Sequence, residues 1–230
     1  MERKYYEAYD DRYRQIHRQE LQWFHDDPSP ILKETIAAYG ITRQHKLLEL
    51  GCGEGRDAFP LLSEGYDLTA TDISPEAIRF CRERSPLYAD RFRVLDCIHG
   101  DDEGQYDFIF AVAVVHMLVD DTDRRGFYRF YGEHLRKGGI GLICAMGDGE
   151  TVRCSDTRSA FDIQERIHEQ TGKTVRIAST SCRMVDFETF RSELSHSGSK
   201  IIESGITAVP PDFPQMMYAV VRKGEMQHDE

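Results

Sequence analysis

Glu49-Leu50-Gly51-Cys52-Gly53-Glu54-Gly55 is the stretch of this 230-residue sequence whose spacing speaks most directly of chemistry. Three glycines at alternate positions leave backbone without Cβ atoms, so a ligand can come close, and glycine also accepts positive φ. A helix expected to open after the run would turn free amides toward an anionic group. A carboxylate, Glu49, stands before the first glycine, at the end of an apolar run (residues 46–50) that reads as a strand. Open α/β sheets bind ligands at that end of their strands. A plain tight turn is the competing reading. Two nucleotide loops are excluded by spacing. The dinucleotide fingerprint G-x-G-x-x-G would put a glycine at position 56, which is Arg56, and no G-K-[ST] follows for a phosphate-cradling loop.

The elements that must position this loop follow from periodicity. Ala58, Leu61 and Leu62 share a helical face. Residues 66–72 alternate as a strand ending at Asp72, and Ser74-Pro75-Glu76 is a helix start. Residues 92–96 read as a third strand ending at Asp96, and 106–114 as a continuously apolar strand buried on both faces. A helix over 123–136, stopped by Lys137-Gly138-Gly139, precedes a fifth strand at 140–146. This alternation predicts an α/β fold with a doubly wound, seven-stranded, mostly parallel sheet. Asp186 is expected to cap a helix ended by Gly198. Residues 200–209 and 216–224 then read as strands joined across a Pro-Pro turn, too short a link for anything but antiparallel pairing. Residues 1–45 are expected to form a helical cover, two helices split at Pro28–Pro30. Residues 46–224 form the core, interrupted by a polar insertion at 147–185, and 225–230 form a frayed tail.

Forty acidic against 29 basic residues give a net charge of −11, which disfavours nucleic acid and anionic membranes as partners. The longest uncharged apolar run, 108–119, is too short to span a bilayer, which needs about 20 residues. The first residues are charged and do not read as a secretory signal. Six cysteines at 52, 81, 97, 144, 154 and 182 show no C-x-x-C and no zinc spacing, so no metal is expected and free thiols in a cytoplasmic compartment are.

On Glu49 to Gly55, Asp72 seventeen residues past Gly55, Asp96 in RVLDC, the YDFIFAVAVVHML exit and the LRKGGIGLI segment, the chain resembles the class I S-adenosylmethionine-dependent methyltransferases. Lys137 departs from that family's proline. The resemblance covers about residues 40–147 and 186–224, and within the family GCGEGRDAFPLLSEGYDLTATDIS looks most like the tellurite-resistance and thiopurine branch. It implies a Rossmann-like methyltransferase fold, S-adenosylmethionine as cofactor and S-adenosylhomocysteine as product. It implies that Asp72 takes both ribose hydroxyls and that Asp96, with the amide of Cys97, takes the adenine. Glu49, Gly51, Cys52, Gly53, Arg56, Ile73, Ala111, His116, Tyr13 and Trp23 complete the expected cofactor site.

Several of these residues carry two readings. Trp23 is a lid over the methyl group or a core anchor. Of the four tyrosines Tyr5, Tyr6, Tyr9 and Tyr13, the last three share a helical face as a packing stripe, or Tyr9 or Tyr13 faces the pocket. His116 is a pocket wall or base, or a histidine satisfied by backbone. Arg56 pairs with the cofactor carboxylate or faces solvent, and Cys52 is a small side chain or a redox-sensitive thiol. His17 and Asp148 are further pocket candidates, and Arg153 and Arg158 could meet an anionic substrate. The catalytic candidates are His116, Tyr9 and His17. The expected function is methyl transfer to a small molecule by a monomer or homodimer. Three alternatives stand: a non-catalytic cofactor-binding regulator, a methyltransferase acting on a protein, and a nucleotide-sugar or nicotinamide enzyme on a similar sheet.

Overall fold

The computed structural model describes residues 3–100 and 102–224; the expected tail, 225–230, lies outside them. After a 3-10 turn at Tyr5–Glu7 come α1 (Ala8–His17) and α2 (Pro30–Ala38), the latter opening on proline with Ser29 before it. The core then runs β1 (Lys46–Leu50), α3 (Ala58–Ser63), β2 (Asp67–Asp72), α4 (Pro75–Arg84), β3 (Phe92–Val94), β4 (Tyr106–Val112), α5 (Asp121–His134) and β5 (Leu135–Met146). The insertion contains β6 (Arg153–Cys154), β7 (Ile163–Ile167), β8 (Thr174–Ala178) and β9 (Arg183–Met184). The chain closes with α6 (Phe187–Leu194), β10 (Ser199–Val209) and β11 (Phe213–Lys223).

Seven strands form one sheet in the order β10-β11-β5-β4-β1-β2-β3, in which β11 alone runs against the others. β4 and β1 lie at its centre, and their apolar side chains are buried on both faces, as the continuous apolar runs require. Helices cover both faces. Ala58, Leu61 and Leu62 of α3 and Ala77, Ile78 and Cys81 of α4 face inward, and Ser74 caps α4 by accepting from the Ala77 amide. Asp186 caps α6 through the Thr189 amide, and Gly198 ends the following turn at φ 62°.

Three boundaries depart from the periodicity reading. α5 stops at His134 and β5 begins at once, so Lys137-Gly138-Gly139 lies inside the strand rather than at a helix stop. A register shift between Tyr106 and Phe108, with Gly138 at φ 75°, absorbs the irregularity. β3 ends at Val94, two residues before Asp96. The insertion pairs only with itself: β6 with β9 and β7 with β8, both antiparallel. No helix of the described residues is long and apolar enough to cross a membrane.

Candidate active site

The glycine loop leaves β1 and is pinned at once to β2. Gly51 and Cys52 donate their amides to the Thr71 carbonyl at 2.7 and 2.8 Å. The Gly53 amide donates to Oδ2 of Asp72 at 2.9 Å, and the Ser74 amide to its Oδ1 at 2.8 Å. Gly51 sits at φ 75°, and a Cβ there would run into Cγ2 of Val114; one on Gly53, at φ 52°, would lie 2.8 Å from the Tyr13 hydroxyl. Glycine is therefore demanded by backbone conformation and by close neighbours. The helix expected directly after the loop starts later, at Ala58, and has six residues. Asp57, at its start, already accepts from the amide and hydroxyl of Ser29.

A narrow cleft lies over this loop. Tyr13, Glu49, Gly51, Cys52, Gly53, Arg56, Asp72, Ile73, Asp96 and Cys97 line it, as do Tyr6 and Tyr9. At one end stand Asp72 and Asp96. Burial raises the Asp72 carboxyl to about 6, against the pull of the Ser74 and Gly53 amides. Asp96 accepts from the Ile98 and His99 amides through Oδ1. Burial pushes the Cys97 thiol up to about 12, so it is no thiolate at neutral pH.

The other end holds two unspent groups. Oε2 of Glu49 has no hydrogen-bond partner among the described residues, and neither do Nε and Nη1 of Arg56. Burial, followed by the Asp57 charge, holds the Glu49 carboxyl well above the carboxylate range, with Arg56 opposing. Arg56 stands 3.6 Å from both Asp57 and Asp212, with its guanidinium near the Phe24 and Phe213 rings. A buried acceptor without a donor beside buried donors without an acceptor suits a ligand bearing an ammonium and a carboxylate on one carbon. The two acids at the far end suit a ligand rich in hydroxyl and amino donors. The lining residues thus fit S-adenosylmethionine at both ends.

Several residues stand elsewhere than expected. Ala111 is buried within β4 and does not line the cleft; Val112, Ala113 and Val114 do, where the chain turns with Ala113 at φ 64°. His17 is no pocket base. Its Nε2 meets Glu54 at 2.9 Å and its Nδ1 meets Glu76 at 2.8 Å, and its ring stacks on Phe80. It clamps α1 onto the glycine loop and α4. Burial lowers its pKa, but the two carboxylates outweigh that and leave it raised. Trp23 and His116 line a second cavity instead, and Trp23 donates its amide to Glu54. Asp148 folds back on the Glu150 and Thr151 amides, and Arg158 pairs with Asp156; neither lines a cavity described here.

The second cavity, of about 520 Å³, adjoins the first and shares Tyr9, Phe24, Met117 and Phe213 with it. Its walls come from α1 and the loop after it, from the ends of β4 and β5, from the insertion and from the β10–β11 turn. His116 accepts from the Met146 amide through Nδ1 at 3.4 Å, which leaves Nε2 as the protonated nitrogen. Burial and the Arg124 charge push this imidazole down to about 3. The Tyr9 hydroxyl is spent on the Ser181 carbonyl, and burial raises its pKa. Phe24 and Phe213 lie outside every motif, whereas Met117 falls within the YDFIFAVAVVHML exit; the signal available for Phe213 is its place in the turn between the last two strands. Among the described residues no cluster of His, Cys, Asp or Glu could hold a metal.

Residues 48–140 match the family described as a methyltransferase domain. Among curated proteins, Hemagglutinin 1 of Eikenella corrodens is 35% identical over 47% of this chain and 37% of its own. The probable S-adenosyl-L-methionine-dependent methyltransferase TehB of Haemophilus influenzae is 30% identical over 53% of this chain and 43% of its own. The chain thus spans less than half the length of either. The solved glycopeptide N-methyltransferase MtfA, complexed with S-adenosyl-L-methionine, superposes with a TM-score of 0.63 at 24% identity, over 87% of this chain and 96% of that one. Residues 48–140 thus match a methyltransferase domain, and the chain shares the fold of a solved S-adenosyl-L-methionine-dependent methyltransferase over most of its length.

Proposed function

We propose that the protein transfers a methyl group from S-adenosylmethionine to a small-molecule acceptor. The observation that carries this is the pair of joined cavities. One is lined by two acids at one end and by the unspent Glu49 and Arg56 at the other; the second is roomy and opens onto the first past Tyr9, Phe24, Met117 and Phe213. The names of two similar proteins, a probable S-adenosyl-L-methionine-dependent methyltransferase and a glycopeptide N-methyltransferase, support the reaction class.

Bound in the inner cleft, the cofactor supplies an activated methyl group on a sulfonium for in-line displacement. Glu49 would accept from the ammonium and Arg56 would donate to the carboxylate, while Asp72 would accept from the ribose and Asp96 from the adenine. The shared aromatic residues exclude water and give the reacting atoms a π-rich wall, worth about 0.5–2 kcal/mol toward a cation. His116 stays neutral and is a weak base, and Tyr9 is engaged and hard to ionise. The site therefore suits acceptors whose lone pair is already free at neutral pH, such as neutral amines or acidic thiols, better than alcohols that need a base. The 520 Å³ outer cavity falls within the range of small-molecule sites, about 300–1,000 Å³, which favours a small acceptor over a folded protein. The six free cysteines fit a reducing, cytoplasmic setting.

The test is isotope transfer: protein, methyl-tritiated S-adenosylmethionine and panels of amines, thiols and phenols. Label in a low-mass product supports the reading. Tight cofactor binding with label in no acceptor, or only in added protein, would replace it with the regulatory or protein-methylating alternative.

A further inference from the structure

We propose that the outer cavity takes an acceptor with an apolar body and one anionic group, a carboxylate or phosphate, which Arg153 and Arg166 hold at the end away from the transferred methyl. The inference deepens the methyl-transfer reading above and rests on it for the cavity's role. The insertion brings the two arginines into one wall from separate ribbons, β6 and β7. Neither side chain has a hydrogen bond or ion pair with any described residue. In a chain of net charge −11, two arginines facing one cavity without a carboxylate partner run against the trend of the surface.

A third cation strengthens the field. Arg12 is buried beneath the same cavity, and its Nε and Nη2 donate to the Ala178 and Ser179 carbonyls and the Thr180 hydroxyl. Its guanidinium lies 5.3 Å from the Tyr9 ring centroid and 5.0 Å from that of Trp23. Carbonyls and π faces hold the guanidinium but do not cancel its charge. Burial lowers its pKa, with the Arg166 charge acting the same way and Tyr9 opposing. Two acids share the cavity. Asp212 is committed to His25 at 3.0 Å and faces Arg56 at 3.6 Å, while Glu169 is exposed beyond the end of β7. Three cations against two acids, one of them already paired, leave the cavity net positive.

The geometry also orients the acceptor. Neither Arg153 nor Arg166 lines the inner cleft, whereas Phe24, Met117 and Phe213 line both cavities. An anion held by the arginines leaves the apolar body along Trp23 and the shared residues, with its nucleophilic atom toward the cleft. A bare oxyanion would leave most of the cavity unfilled.

The experiment titrates the protein, saturated with S-adenosylhomocysteine, with phenyl phosphate, benzoate, benzamide and octaglutamate, following heat and the arginine ¹⁵Nε–¹Hε signals. Both arginines are exposed, so Arg153→Gln/Arg166→Gln folds as the parent does. Phenyl phosphate or benzoate binding about tenfold more tightly than benzamide, and weakening about tenfold in the double variant while S-adenosylhomocysteine affinity holds within about twofold, supports the proposal. Benzamide binding equally well, or anions binding the double variant as they bind the parent, overturns it. Octaglutamate binding most tightly overturns the small-molecule part in favour of an acidic polypeptide. The same titration without cofactor separates the two readings. If S-adenosylhomocysteine does not bind but benzoate still saturates the arginine signals, the methyl-transfer reading fails and the anion site stands.

Discussion

The two cavities are built in opposite ways. The inner cleft is made by chain segments at the ends of neighbouring strands, β1, β2 and β4, where loop amides donating to the Thr71 carbonyl and the Asp72 carboxylate fix the positions of Gly51, Gly53 and Asp72. The outer cavity adds side chains from α1, the Trp23–Phe24 loop, the insertion and the β10–β11 turn to the strand-end residues His116, Met117 and Met146, and contacts across large sequence separations hold these segments together. Arg12 reaches Ala178, Tyr9 reaches Ser181 and His168 reaches the carbonyl of Gln22. The lesson is that a site made by backbone at a strand end tolerates little change, whereas one made by side chains on appended segments can be re-cut without disturbing the sheet. On this account the first half fixes the cofactor and the second selects the acceptor.

Four substitutions sharpen or break that contrast. The largest effect is expected of Gly51→Val. It forces a β-branched residue to positive φ, a strain of about 1–3 kcal/mol, and drives its side chain into Val114. Binding of S-adenosylhomocysteine should vanish in calorimetry; retained affinity would mean that the loop is not the cofactor cradle.

Next comes Asp72→Asn, which removes a charged acceptor and should weaken S-adenosylhomocysteine about tenfold or more at pH 7.5. Burial sets the Asp72 carboxyl at about 6, and ribose hydroxyls donate to its ionised form, so parent affinity should rise with pH through about 6. The variant should lack that step, and a step that persists unchanged would assign the titration to another group.

His17→Ala tests the seam between the two halves. His17 has its pKa raised, because the Glu54 and Glu76 hydrogen bonds outweigh burial. A histidine whose folded pKa exceeds its unfolded value adds stability in full below about 6.5 and loses it as pH rises through the folded value. The variant should therefore lose about 2 kcal/mol at pH 5.5 in denaturant unfolding, and less at pH 9. An equal loss at both would reduce the clamp to packing.

The smallest effect on the cofactor belongs to Trp23→Ala. Trp23 lines the outer cavity alone. S-adenosylhomocysteine affinity should change by less than about threefold while methyl transfer falls about tenfold or more. Equal losses in both would erase the distinction between the halves.

Legibility in the sequence follows the same division. The glycine loop, Asp72 and Asp96 were readable because strand end, turn residue and acid are neighbours along the chain, and alternation of strands and helices is enough to fix the sheet. Ala111 was placed two residues early, since the apolar run does not show that the chain turns at Ala113 with positive φ. The start of β5 was hidden by Gly138-Gly139, which reads as a helix stop but is taken into the strand by a register shift. His17 was misread because its partners, Glu54 and Glu76, are set by how α1 docks, which periodicity does not reveal. The meeting of Phe24, Met117 and Phe213, and of Arg12, Arg153 and Arg166, depends on tertiary packing between segments far apart in the chain.

The central claim, that the strand-end cleft is a cofactor site for S-adenosylmethionine, is tested most directly by calorimetric titration of the cofactor-stripped protein with S-adenosylhomocysteine, with NAD as control. Micromolar one-to-one binding of S-adenosylhomocysteine and no heat with NAD are expected. Binding of NAD in its place, or of neither, would contradict it.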